Sequence, residues 1–257
     1  MIGSGLAQME TAPFFNCTNI ASITVSEDNT VYDSRNGCNA IIKTSSNTLI
    51  VGCKNTVIPN TVVGIGDSAF INCKELTTIE IPSSVTYILG SAFANCISLK
   101  NIVLPGIRYI YQYIFKGCTS LESVTITSVP QQVIEKEAFY GCSALKSINI
   151  PDSVTTIEQQ AFYQCTSLET LTIGSGLVAL GYDAFAYCSN LKTITINLQA
   201  SPGYQFGSGS ATAGYNNRTS GTNRLYVPAN ATGYEEGGWT QYLYNSNCGG
   251  FTLSKTL

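Results

Sequence analysis

Ile81-Pro82-Ser83-Ser84-Val85-Thr86-Tyr87-Ile88-Leu89-Gly90-Ser91-Ala92-Phe93-Ala94-Asn95-Cys96-Ile97-Ser98-Leu99-Lys100-Asn101-Ile102-Val103-Leu104-Pro105 is one period of a pattern that recurs along most of this chain. Its firmest landmark is a Phe followed three residues later by a Cys. The pair returns as Phe70/Cys73, Phe93/Cys96, Phe115/Cys118, Phe139/Cys142, Phe162/Cys165 and Phe185/Cys188, with steps of 23, 22, 24, 23 and 23 residues between the cysteines. Other columns keep that register. A Leu follows each turn, and then comes an apolar pair spaced by one, as in Leu99, Ile102 and Leu104 or Leu145, Ile148 and Ile150. A further column runs Ile65, Ile88, Ile110, Ile134, Ile157 and Leu180. One such unit cannot bury its own apolar side, so the units must stack into a coil and share one continuous core.

The L-x-x-I-x-I segment alternates inward and outward, which predicts a short strand. Neighbouring strands would pair in parallel about 4.8 Å apart. The Ala-Phe-x-x-Cys segment is too short for a long helix and predicts a short helical turn. The expected fold is therefore a solenoid, with short parallel β-strands forming one sheet face and short helical turns on the opposite side. Each buried Phe should contribute about 1.5–3 kcal/mol.

Two regions break the period. From Cys17 to Cys73 there are 56 residues, ten more than two periods. Asn39-Ala40-Ile41-Ile42-Lys43-Thr44 and Thr48-Leu49-Ile50-Val51 flank Ser45-Ser46-Asn47 and predict a β-hairpin insertion in a coil spanning about 26–58. Residues 200–223 are rich in Gly, Ser and Asn and read as a surface loop. The solenoid is thus assigned to 1–199, the loop to 200–223, and the last strand with a C-terminal cap to 224–257. The cap holds Trp239 and a closing strand at Phe251-Thr252-Leu253. Ile2-Gly3-Ser4-Gly5-Leu6 repeats Ile173-Gly174-Ser175-Gly176-Leu177, so the chain opens in mid-coil. Further repeats or another domain are expected before Met1.

These residues resemble the BspA-like family of leucine-rich repeats. Its pattern, I-P-x-S-V-T-x-I-G-x-x-A-F-x-x-C-x-S-L-x-x-I-x-I-P, is matched from Ile81 through Ile102 and again from Ile150 through Ile173. The hairpin residues Tyr32-Asp33-Ser34-Arg35 and Cys38-Asn39-Ala40-Ile41-Ile42 and the closing Leu225-Tyr226-Val227-Pro228 are similar to it too. Departures are Gln131 in a Val column, and Gly174 and Asn197 where Pro is usual. The resemblance implies a leucine-rich-repeat solenoid on a secreted or surface-displayed bacterial protein, some relatives being adhesins for extracellular-matrix proteins. It brings no catalytic residue.

Composition narrows the function independently. The chain has no His, which removes the commonest general base and metal ligand. No nucleophile–base constellation is visible, so no enzyme is expected. The net charge is −3 and no basic run exists, so no nucleic acid is expected as partner. No apolar stretch approaches about 20 residues, so no membrane insertion is expected. Only 11% of residues are charged, against about a quarter in ordinary domains. No cofactor and no metal is expected: the ladder cysteines have no C-x-x-C spacing, and Glu27, Asp28 and Asn29 read as turn residues rather than a calcium site. The ladder thiols read as small buried hydrophobes. For Cys38 and Cys53, placed opposite each other if Thr44 pairs with Asn47, a cross-strand disulfide and free thiols are both open.

The candidate binding surface is the exposed side of the strands. One column runs Thr77, Lys100, Glu122, Lys146, Glu169, Lys192 and alternates in sign from Lys100. A second runs Thr78, Asn101, Ser123, Ser147, Thr170, Thr193, and a third Glu80, Val103, Thr125, Asn149, Thr172, Thr195. Tyr109, Tyr111 and Tyr113 in one coil, with Tyr140, Tyr163, Tyr182 and Tyr187 near the turns, form a second candidate, because Tyr adds contact area at low entropic cost; the bland reading of most of them is a cover for the core edge. Three roles follow from such a surface: an adhesin-like module for a host or extracellular-matrix protein, a glycan-binding module, or a spacer in a longer surface protein.

Overall fold

The computed structural model describes residues 1–10, 13–14, 20–181, 183–198, 224–227, 229–230 and 252–255. The chain winds into a solenoid whose sides are two ladders of parallel strands and one ladder of tight turns. Strands are numbered in chain order. An N-terminal hairpin holds β1 (Tyr32–Asp33), β2 (Ile41–Lys43) and β3 (Thr48–Val51). One ladder follows as β4 (Gly64–Ile65), β5 (Tyr87–Ile88), β7 (Tyr109–Ile110), β9 (Gln132–Ile134), β11 (Val154–Ile157) and β13 (Ala179–Leu180). The other is β6 (Asn101–Leu104), β8 (Ser123–Ile126), β10 (Ser147–Ile150), β12 (Thr170–Ile173), β14 (Thr193–Ile196), β15 (Arg224–Val227) and β16 (Thr252–Lys255).

The second of these ladders is the L-x-x-I-x-I face. Asn101 pairs with Ser123, Ser147 with Thr170 and Thr170 with Thr193, so each strand is displaced from the next by one full repeat. The inward Ile102, Leu104, Ile148, Ile150, Leu171, Ile173, Ile194 and Ile196 are all buried. Where Pro ends the strand, at Pro105 and Pro151, no N–H is available to extend the ladder. Gly174 and Asn197 supply that N–H instead, donating to Ile150 O and Ile173 O at 2.9 Å each. The other ladder carries the Ile65-to-Leu180 column inward.

The Ala-Phe-x-x-Cys segments are single i→i+3 turns, and there is no α-helix among the described residues. Their backbone bonds to the next coil as well as to itself. Phe93 N donates to Ile114 O (2.9 Å), Phe115 N to Ala138 O (2.8 Å) and Phe139 N to Ala161 O (2.7 Å). This double bonding goes with two left-handed residues four apart in each turn. They are Ser91 and Asn95 (φ 54° and 58°), then Tyr113 and Gly117 (61° and 73°), then Glu137 and Gly141 (54° and 72°). The rings stack in one column from Phe70 to Phe185, with centroids 4.9–5.5 Å apart and planes within 17°. Beside it, Cys96 Sγ donates to Phe70 O at 3.2 Å, Cys118 Sγ to Phe93 O at 3.1 Å, and Cys142, Cys165 and Cys188 repeat the contact at 3.3 Å. The same Phe carbonyl also accepts the Cys N–H of its own turn, as Cys73 N does at 2.9 Å from Phe70 O. A weak donor the size of a small hydrophobe therefore fills the second acceptor site without a bulky polar group.

The hairpin closes the N-terminal part. β3 pairs in parallel with β4, so the insertion hands its last strand to the solenoid. Ile41 faces one core and Ile42 the other, both fully buried, which separates a small N-terminal cluster from the main core. Lys43 pairs with Thr48, the expected register, but a bulge shifts it, and Ile41 pairs with Val51. The shift carries Cys38 and Cys53 out of opposition. Both are free thiols, and their sulfurs bond instead to Ala40 O (3.8 Å) and Asn39 O (3.3 Å). Asn29 is a buried turn residue: its amide donates to Gly3 O and Leu6 O and accepts from Val31 and Tyr32, fastening the first residues to the hairpin.

The Val-column departure belongs to Gln132, not Gln131. The coil is one residue longer than its neighbours, and Gln131 bulges outward with φ 54°. Gln132 then pairs with Val154 and is fully buried. Its amide is satisfied by Ile107 O (2.8 Å), Thr127 O (3.2 Å) and the Ser153 hydroxyl (3.1 Å). The loop 200–223, Trp239, Cys17, Tyr182 and Cys248 lie outside the described residues.

Candidate interaction surface

Strand pairing sets the three outward columns side by side. Asn101, Ser123, Ser147 and Thr170 are exposed in one, and Val103, Thr125 and Asn149 in the next. Within the first of these, the Ser123 hydroxyl donates to Asn101 Oδ1 at 2.6 Å. The 23-residue period continues both columns toward the N-terminus, to Asn55 and Thr78 in one and Val57 and Glu80 in the other, in segments that form no strand.

The charged column pairs in steps. Lys146 meets Glu122 at 3.6 Å, and Lys192 meets Glu169 at 3.3 Å. These side chains are 48–70% exposed, so each pair is worth about 0–1 kcal/mol and serves register more than stability. Lys100 makes no ion pair among the described residues. Tyr109 and Tyr111 do not join these columns. They sit on the other ladder, at and just after β7, with ring centroids 5.6 Å apart and the Arg108 guanidinium 5.3 Å from the Tyr109 centroid. The sequence candidates Glu80, Lys100, Asn101, Glu122, Lys146, Asn149, Glu169 and Lys192 therefore share one side, and the two tyrosines another.

The tyrosines expected near the turns form a third cluster there, around a cation, Lys116, and a carboxylate, Glu137, that the sequence had not singled out. Lys116 Nζ lies 5.0 Å from the Tyr113 ring centroid and 4.7 Å from that of Tyr140, and bonds at 2.6 Å to the buried carboxylate of Glu137. Tyr140 stacks on Tyr163 at 4.9 Å, and Tyr163 meets Tyr187 at the same distance. Partial burial, then its bond with Tyr187, pushes the Tyr163 phenol up to about 12. The signal was in the sequence: Lys116, Tyr140 and Tyr163 each follow the Phe of the ladder. The contacts run from one coil to the next, so this cluster reads as a brace between coils.

Burial raises the thiols of Cys96, Cys142 and Cys165 well above the ordinary range and that of Cys118 to about 12, so they stay protonated at neutral pH and are poor nucleophiles. No group of His, Cys, Asp or Glu among the described residues could hold a metal ion. No helix of the described residues is long and apolar enough to cross a membrane.

A solenoid of parallel strands and turns with this 23-residue period defines the class: a leucine-rich-repeat protein. Residues 40–133 and 108–211 match the family model for the BspA type leucine rich repeat region, in six copies, and this chain belongs to that family. Solved structures of similar fold include a leucine-rich repeat protein from Eubacterium ventriosum, at TM-score 0.70 and 20% identity, over 97% of this chain and 62% of that one. Another is a leucine-rich repeat protein from Bacteroides ovatus, at TM-score 0.54 and 26% identity, over 77% of this chain and 47% of that one. A third is the pneumococcal vaccine antigen PcpA, at TM-score 0.52 and 22% identity, over 91% of this chain and 50% of that one. The chain thus spans less than two thirds of the length of each. Comparison with curated protein sequences finds no match. Leucine-rich repeat proteins are typically non-catalytic binding modules.

Proposed function

We propose that this chain is a non-catalytic, adhesin-like binding module of a secreted or surface-displayed bacterial protein, and that its L-x-x-I-x-I face takes up a host or extracellular-matrix protein. The observation that carries the reading is the strand face itself. Outward, mostly polar columns stay in register within β6–β8 and within β10–β12–β14, on a scaffold whose core is independent of them. Side chains on such a face can be exchanged without disturbing the fold, which suits a surface selected for recognition. The similarity to PcpA, a vaccine antigen, supports surface display.

The test is a binding screen of the purified chain against arrayed extracellular-matrix proteins and glycans. A saturable protein signal that falls at least tenfold in Asn149→Lys and Thr172→Lys, with unchanged unfolding midpoints, is the expected outcome. A protein signal indifferent to both substitutions would place recognition elsewhere. A second reading, glycan binding, is favoured by the tilted Tyr109–Tyr111 pair with its neighbouring guanidinium. It predicts a glycan signal lost in Tyr109→Ala; silence of the glycan array removes it.

A further inference from the structure

The strand face is not uniform at its N-terminal end. Residues 78–81 stand where the L-x-x-I-x-I strand should be, yet they form no strand, and none of their N–H or C=O groups bonds to another described residue. Ile79 and Ile81 hold core positions whose counterparts Ile102, Leu104, Ile148 and Ile150 are buried, but these two are only half buried. Val57, in the preceding coil, is 71% exposed, and Val103, in the following one, 61%. Between residues 56–60 and 78–82 runs a groove of about 640 Å³, with Asn36 and Glu80 in its lining. That volume lies within the range of about 300–1,000 Å³ found for ligand sites. Glu80 makes no ion pair among the described residues.

The cause lies in the hairpin. The coil that leads into residues 55–58 carries β2 and β3 in place of a Phe-x-x-Cys turn, so residues 56 and 57 bond to the hairpin segment. Val57 N donates to Cys38 O, and Thr56 Oγ1 to Asn39 O. The segment that should cover residues 78–81 is thereby pulled out of pairing register.

We infer that this groove binds an extended peptide segment of a partner protein, with apolar residues alternating with basic ones. Three features define that chemistry together. Backbone donors and acceptors along residues 78–81 that meet no partner among the described residues suit an extended main chain, which recognises unpaired strand groups through its own amides. Ile79 and Ile81, on the core side, offer an apolar floor for every second side chain, because successive residues of an extended chain point to opposite sides. Glu80 supplies an unpaired carboxylate for a Lys or Arg between them. The inference rests on the proposed protein-binding role and names where on the molecule a main chain is held.

The probe is the synthetic hexapeptide acetyl-Val-Lys-Val-Lys-Val-Lys-amide, titrated into the full ¹⁵N-labelled chain, with its Val-Glu counterpart as control. The expected result is shifted amide signals at residues 57 and 78–81 and slowed amide exchange at 78–81. The Val-Glu peptide should bind at least tenfold more weakly, and Glu80→Lys, an exposed position that leaves the core intact, should reverse the preference. Absence of groove shifts at millimolar peptide, shifts that map to β10, β12 and β14 instead, or unchanged preference in Glu80→Lys would overturn the inference. A matrix-protein signal that survives in Glu80→Lys but is lost in Asn149→Lys would leave the functional reading standing and sink this one alone.

Discussion

At Phe139 the ring has an aromatic neighbour on each flat side, Phe115 at 5.4 Å and Phe162 at 4.9 Å, and no exposed surface. Phe139→Ala removes both contacts and leaves a cavity that stacked coils cannot collapse without breaking their backbone bonds. It should cost about 3–5 kcal/mol in urea unfolding; a loss below about 1 kcal/mol would mean that the column carries no core packing. The left-handed positions give a sharper contrast. Gly117 and Gly141 have φ 73° and 72°, yet a Cβ on Gly117 would lie 2.3 Å from Asn95 Oδ1, whereas one on Gly141 meets nothing nearer than 3.9 Å. Gly141→Ala should therefore cost only the conformational penalty of about 1–2 kcal/mol, and Gly117→Ala measurably more. Equal losses in paired denaturant titrations would show that Asn95 swings aside freely.

Among the elements, the strands differ in how fully their backbones are paired. β10, β12 and β14 form a continuous parallel ladder, while residues 78–81 form none. Native-state hydrogen exchange should follow that difference, because local opening costs little where backbone bonds are missing. Amides of residues 78–81 are expected to exchange at least a hundredfold faster than those of β12. Matched protection in the two segments would mean that the gap is closed in solution. The expected strand alternation, the columns of polar residues and the hairpin were all legible in the sequence, because period-2 patterning reports directly on which side a residue faces. The bulge beside Ile42 was not, since a one-residue slip leaves the apolar composition of a strand unchanged while moving every partner beyond it. That slip separates Cys38 from Cys53. The exchange of roles between Gln131 and Gln132 has the same origin.

Across the whole molecule the thiol ladder makes stability sensitive to alkali. Burial raises the Cys118 thiol in the folded chain to about 12, from an ordinary value of 9.0. The unfolded chain therefore releases its proton first, and binds fewer protons than the folded one between those limits. The stabilisation from keeping the thiol protonated is complete below pH 9 and is lost as pH rises toward 12, at about 1.4 kcal/mol per pH unit for each such thiol. Guanidinium unfolding at pH 8 and pH 10.5 should show a marked fall, reduced in Cys118→Ala by one thiol's share. A flat profile would mean that the ladder thiols ionise in the folded state. Because each coil touches only its neighbours, these contributions should add along the stack.

Sequence alone determined the repeat, its length, the inward columns and the family, because stacking identical units forces identical residues into line and writes the architecture into a period. It also marked the strand face as the candidate surface. Tertiary structure decided three things the period does not encode: that Tyr109 and Tyr111 look away from the charged column, that Lys116 is clasped between two rings over Glu137, and that residues 78–81 stand unpaired beside a groove. Each depends on how a coil of unusual length fits its neighbours. Local patterning fixes which way a side chain faces, and only the fit between coils fixes what it meets there.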